Sequence, residues 1–173
     1  MVVAKATILE VPVLWLLLSI CLLMLRRPPV STLLPYATLF RSARTHYDIG
    51  NGLYVRMLGE EMIYSCARWD GAADLDTAQE TKLELICKKL HLEPGMRVLD
   101  IGSGWGGFAR HAAVNHGATV VGISPAGEQV REARRRAGSL PVKFHQQDYR
   151  EATGTYDRIV SIGMMEHVGP RNY

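Results

Sequence analysis

Two textures of hydrophobic and polar residues divide the chain. Residues 11–25, VPVLWLLLSICLLML, form an unbroken apolar run apart from Ser19. From Thr45 onward the pattern becomes that of a globular domain. GLYVRML (residues 52–58) predicts a short amphipathic helix with Asn51 as its cap. DLDTAQETKLELICKKLHL (74–92) places Leu75, Ala78, Leu83, Ile86 and Leu90 at helical spacing, with Thr77 and Glu80 spaced as a capping box. Pro94-Gly95 then breaks the chain, and MRVLDIG predicts a strand.

Strands and helices alternate after that point. WGGFARHAAVNHG predicts a helix closed by Gly117, and ATVVGIS a second strand. AGEQVREARRRAG predicts a helix closed by Gly138, PVKFHQQ a third strand and YDRIVSIG a fourth. Such alternation implies α/β architecture with a parallel sheet covered by helices. RVLDI, TVVGI and RIVSI are nearly continuous apolar runs, as expected of strands buried on both faces. No internal repeat interrupts this order.

The apolar run at 11–25 fits none of its roles well. Fifteen residues of helix span about 22 Å at 1.5 Å per residue, short of the ~30 Å hydrocarbon core. As a signal peptide it lacks a small-residue cleavage site. As an anchor, Arg26 and Arg27 would keep the rest of the chain in the cytoplasm. The next stretch, RRPPVSTLLPYATLFRS, resembles translated sequencing adaptor. Foreign sequence, weak anchor and signal segment all stay open for residues 1–44. Residues 45–92 then read as a helical cap and 93–173 as a Rossmann-like domain.

Composition narrows the class. Of the 173 residues, 47% are apolar and 21% charged, so a packed core is expected rather than disorder. A net charge of +3, with no basic stripe interleaved with aromatics, argues against a nucleic-acid partner. Cys21, Cys66 and Cys87 lack CxxC spacing, which argues against a disulfide framework or a metal site and for a reducing compartment.

The sharpest local signal is VLDIGSGWGGFA. A glycine-rich turn between strand and helix lets a ligand approach the backbone beside free helix N–H groups. Gly102, Gly104 and Gly107 fit GxGxxG, but a dinucleotide site needs an acid about 20 residues on. The second strand ends Gly122-Ile123-Ser124 instead. The acid present is Asp100, two residues before the first glycine. That pattern points to S-adenosylmethionine (SAM), whose ammonium and sulfonium suit a carboxylate that would repel phosphates.

HYDIGNGLYVRML, MIYSCARWDGAADLDTAQETKLELICKKL, GMRVLDIGSGWGGFA, VVGIS, QQDYR and YDRIVSIGMMEHVG together resemble the cyclopropane-fatty-acyl-phospholipid synthase family, to which the mycolic acid cyclopropane synthases are related. The resemblance runs from about Thr45 to Tyr173. It implies a class I SAM-dependent methyltransferase fold with seven strands, of which only four are read here before the chain ends.

The resemblance also implies roles. Tyr64 and Ser65 would line the SAM pocket. Gly102, Ser103 and Gly104 would lie against its methionine part, Ser124 and Gln129 on its ribose, and Asp148 with Gln147 on its adenine. A bicarbonate ion would sit near the reacting carbon, cradled in part by the Cys66 backbone and by Glu166, just past the fourth strand. The substrate implied is the cis double bond of phospholipid acyl chains at the inner membrane face, approached by a cytoplasmic, peripheral protein. Methyl transfer to the alkene and proton loss would close a cyclopropane ring, in a dry site. His167 is expected to be structural, and Trp69 and Tyr64 packing and pocket wall. The run Arg131, Arg134, Arg135, Arg136 reads as a solvated face, with a headgroup contact as its alternative. Another small-molecule methyltransferase and a non-catalytic SAM-binding fragment remain as alternative functions. Because the family continues past Tyr173 with further ligands of the bicarbonate, the chain alone is expected to be inactive and marginally stable.

Overall fold

The computed structural model describes residues 2–4, 47–48 and 50–164. In chain order they form β1 (Val2–Ala4), α1 (Gly52–Met57), α2 (Leu75–Lys89), β2 (Arg97–Ile101), α3 (Gly107–His116), β3 (Thr119–Ser124), α4 (Gly127–Ala137), β4 (Val142–Gln146) and β5 (Arg158–Ser161). A single 3-10 turn, Tyr149–Glu151, joins the last two strands.

The four strands read from the sequence make one parallel sheet. Its order is β5-β2-β3-β4, with Asp100 of β2 opposite Gly122 of β3 and Val160 of β5. The chain therefore reverses its direction of travel across the sheet between β2 and β5, which opens a crevice at their carboxyl ends. A fifth strand was not expected: Val2–Ala4 pairs antiparallel with β5, Val2 opposite Val160. Three residues are too few to show a period, so no pattern reading could find them.

The core gathers Leu83 and Cys87 from α2 with its C-cap Leu90, Phe108, Ala109 and Ala112 from α3, and Val130, Ala133 and Ala137 from α4 around Val98, Val120, Phe144 and Val160 of the sheet. A second cluster, Tyr54, Met62 and Trp105, lies where α1 and the segment after it meet the turn following β2. Gly117 closes α3 in the left-handed region at φ 63°, as its position predicted.

Both predicted N-caps differ from the structure. The Asn51 side chain does not cap α1; its Oδ1 accepts a hydrogen bond from Trp105 Nε1 at 2.8 Å, serving a buried indole instead. Helix α2 starts one turn earlier than the Thr77–Glu80 spacing implied. Asp74 is its N-cap, accepting from the Thr77 amide at 2.8 Å, because Asp74 already sits in extended backbone.

Candidate functional site

The site grows from the glycine turn after β2. Gly102 and Ser103 both donate their amides to the Ile123 carbonyl, at 2.9 and 3.0 Å, which folds the turn back onto the end of β3. Gly102 does so at φ 82°, and a Cβ there would stand 3.2 Å from that of Met164. Over Gly104 a Cβ would meet nothing within 4 Å, so the backbone is open to an approaching ligand. Below the turn the Phe144 ring fills the space that side chains at Gly106 and Gly122 would need, each Cβ falling 2.6 Å from it. One aromatic ring thus sets the height of the loop above the sheet.

Asp100 is the chemical centre of this turn. It is 2% exposed, and its Oδ2 has no hydrogen-bond partner. Burial pushes its carboxyl pKa up to about 7. Beside it the hydroxyl of Ser103 is buried and unpartnered too. Two orphaned oxygens at the mouth of a glycine turn are costly unless a donor-bearing ligand meets them.

The neighbouring strand ends complete a rim. Ser124, at the end of β3, donates its hydroxyl to Gln129 Oε1 at 2.9 Å, and both are buried. The Ser124 carbonyl accepts from the Gln147 amide at 3.1 Å, which ties the chain beyond β4 to β3. Asp148 caps the 3-10 turn and is gripped by the Arg150 guanidinium at 2.8 and 2.5 Å. That contact holds its carboxyl below the usual range. A carboxylate has lone pairs left to accept another donor.

A cap closes over the loop. Tyr64 is 48% exposed, but its ring meets Tyr47 and Tyr54 edge-on at 5.9 and 5.8 Å. Both of those rings contact Trp105, inside the glycine turn, at 5.8 and 4.7 Å. Ser65 is held by α2: Gln79 and Lys82 donate to its carbonyl at 3.1 and 3.3 Å, and Lys82 to its hydroxyl at 2.9 Å. Burial pulls the Lys82 pKa down to about 8. The buried Arg110 of α3 pairs with Glu61 and donates to the Trp105 carbonyl at 3.0 Å, fastening cap to loop.

The family model of mycolic acid cyclopropane synthetase matches residues 36–173. The chain belongs to this family. The match reaches back past Thr45. The chain is 53% identical over 130 residues to the cyclopropane-fatty-acyl-phospholipid synthase of Escherichia coli K12, covering 75% of this chain and 34% of that protein. It therefore spans about a third of the curated relative it matches. Among solved structures, the cyclopropane synthase MmaA2 from Mycobacterium tuberculosis superposes with a TM-score of 0.72 at 32% identity, over 80% of this chain and 50% of that one. The mycolic acid cyclopropane synthase CmaA1, solved with S-adenosylhomocysteine (SAH) and CTAB, gives 0.72 at 30% identity, over 79% and 49%. The fold is Rossmann-like, that of the SAM-dependent methyltransferases.

Some expectations meet the structure differently. Trp69 is 57% exposed, so it is not a packing residue among the described contacts. Every arginine of the α4 run has a partner within the chain: Arg131 pairs with Glu128, Arg135 and Arg136 with Glu132, and Arg134 donates to the Phe144 carbonyl. Cys66 is exposed. Glu166 and His167 lie outside the described residues. Among the described residues, no helix is long and apolar enough to cross a membrane. Sequence reasoning missed Trp105, Gln79, Lys82 and Phe144. Only Trp105 carried a signal, a large ring set among four glycines.

Proposed function

We propose that this chain carries the cofactor-binding part of a SAM-dependent enzyme that adds a methylene bridge to the cis double bond of phospholipid acyl chains. The observation that carries the reading is the buried, unpartnered carboxylate of Asp100 beside an open glycine turn. An uncompensated acid there suits a ligand that brings a cation and N–H donors.

The residues present fit SAM. Asp100 Oδ2 and Ser103 Oγ are free to face its ammonium end, and the turn at Gly104 leaves room for its chain. Ser124 with Gln129 would take the ribose, and Asp148 with Gln147 the adenine. Tyr64 and Ser65 would wall the pocket through the Trp105 cluster. When bound, SAM supplies a sulfonium methyl electrophilic enough for an alkene. What the chain itself adds is orientation and exclusion of water, so that a carbocation is not quenched. For bicarbonate, Cys66 lies near Lys82, whose charge suits an anion. Its other contributor, Glu166, is proposed from the resemblance alone. The same reading places the protein at a membrane surface, peripheral and on the cytoplasmic side.

Two measurements test this. Calorimetric titration with SAH should show binding by the wild-type chain and a loss of at least tenfold in Asp100→Asn; equal affinities would refute the site. Lipid extracts incubated with methyl-labelled SAM and the full chain, supplemented with the remaining part of a relative, should gain label in cyclopropane acyl chains. Label in small molecules alone would refute the substrate class.

A further inference from the structure

Away from the glycine turn, α2 and α3 bring four ligand-type residues together. Cys87 is buried in the core, and its sulfur and one ring nitrogen each of His111 and His116 all lie within 4.8 Å of one another. Glu84, one turn before Cys87 on α2, puts Oε2 2.9 Å from His116 Nε2 and 3.5 Å from His111 Nε2. The side chain of His111 is 8% exposed, and its Nε2 is buried without a hydrogen-bond partner. Its Nδ1 lies 3.1 Å from Asn115 Nδ2. Asn115 thus orients the ring from outside; for Nε2 to ligate, its amide must turn so that Oδ1 accepts the Nδ1 proton.

A bland packing role does not account for this arrangement. A small apolar cysteine explains Cys87 alone. It leaves His111 Nε2 with only the Glu84 carboxylate at 3.5 Å, long for a hydrogen bond in a buried site. An open groove of about 640 Å³, bordered by Glu84, Lys88, His111 and Asn115, gives access from solvent.

We propose that Cys87, His111 and His116 bind a zinc ion, with Glu84 closing the tetrahedron, and that the ion fastens α2 to α3. One sulfur, two imidazoles and a carboxylate form a borderline-soft set that suits zinc and excludes magnesium or calcium. Tetrahedral zinc, with bonds of about 2.0–2.3 Å, separates its ligand atoms by about 3.3–3.8 Å. Cys87, His111 and His116 need to close by only about an ångström, and the Glu84–His116 pair, at 2.9 Å, to part slightly. On binding, the Cys87 S–H bond breaks, the sulfur keeps the electron pair for zinc, and the proton leaves to buffer. The CxxC criterion missed the site because its ligands come from two helices.

The test uses tag-free full-length chain, stripped by chelator and then titrated with zinc against a chromophoric competitor, with cobalt as a spectroscopic stand-in. The expected result is about one metal per chain, a thiolate-to-cobalt charge-transfer band, and tetrahedral d–d bands. Cys87→Ala and His116→Gln should each lose at least about 100-fold in affinity, and Glu84→Gln about tenfold. The control His145→Gln, an exposed histidine of β4, should match wild type. Circular dichroism confirms that each variant is folded; His116, at the rim, keeps the test valid if Cys87→Ala is not. Zinc should raise the Tm of wild type and of His145→Gln but not of His116→Gln. Substoichiometric zinc, a cobalt spectrum without the thiolate band, or unchanged affinity in His116→Gln would each overturn the site.

Discussion

Replacing Asp100 with asparagine separates what the carboxylate does for binding from what it costs the empty fold. The carboxyl titrates near pH 7 in the folded chain against 3.8 ordinarily, because burial disfavours its charge. Below about pH 4 both states are protonated and the group costs nothing as an ion. Between about pH 4 and 7 the unfolded chain releases its proton and the folded chain keeps it, so stability falls as pH rises through that window and levels off above. A shift of roughly three pH units corresponds to about 4 kcal/mol of destabilisation at pH 8. Asparagine removes that burden but buries an amide whose unpaired donors cost about 1–3 kcal/mol. Asp100→Asn should therefore be about 1–3 kcal/mol more stable than wild type at pH 8 and less stable at pH 4, with urea denaturation curves crossing in between. Ligand binding should move the other way. If only ionised Asp100 receives the cation, lowering pH from 7 to 5 cuts the competent fraction from about a half to about a hundredth, a loss of about 50-fold in affinity. Calorimetry should show that slope in wild type and none in the variant. Parallel pH profiles, in either stability or binding, would refute the assignment of Asp100 as a buried acid awaiting a cation.

Gly102→Ala forces a side chain into the left-handed region and against Met164, so it should lose about 1–3 kcal/mol in denaturation and weaken SAH binding measured by calorimetry. Trp105→Ala empties the joint between cap and glycine turn and should cost about 3–5 kcal/mol, visible as a large fall in Tm, whereas Trp69→Ala at the exposed position should leave Tm nearly unchanged. Lys82 titrates near pH 8 when folded, below its ordinary 10.5, because it is partly desolvated. The unfolded chain then binds the extra proton between those values, and wild-type stability should climb as pH rises from about 8 to 10.5. Lys82→Met should lack that climb in urea titrations while Lys88→Met, at an exposed position, keeps it.

The sheet was legible because its strands are short apolar runs punctuated by glycine and proline, and each of the four lies within the stretch read for it. Gly102, Gly104 and Asp100 were legible for a different reason: a strand, an acid and a glycine turn in that order constrain both backbone and charge. The caps were misread because a side-chain oxygen takes whichever donor the tertiary fold brings. Asn51 serves the indole of Trp105, more than fifty residues on, and no local pattern reports such a partner. Phe144 was invisible as a loop support because its role depends on the missing side chains of Gly106 and Gly122 in two other elements. Lys82 looked like any lysine on a helix, and only the packing of the Ser65 segment onto α2 shows that it is desolvated.

Helix α2 contributes no strand-end residue to the cofactor crevice, yet it sets the geometry there from two sides. On one side Gln79 and Lys82 hold the Ser65 backbone, and with it the chain that carries Tyr64 to the Trp105 cluster. On the other, Glu84 and Cys87 face the histidines of α3, the helix whose first residue, Gly107, comes directly after the glycine turn. Gly107 is also the point where the cap lies closest, since a Cβ there would fall 2.9 Å from the Glu61 carbonyl. A rotation of α2 relative to α3 would therefore move the pocket wall and the turn in the same displacement. The buried Arg110, bonded to both Glu61 and the Trp105 carbonyl, resists that motion from within α3. Stiffness at the helix pair is thus a condition for the orphaned Asp100 and Ser103 oxygens to stay aimed at one point. A metal between Cys87 and the two histidines would supply that stiffness from the side of the helix pair remote from the turn.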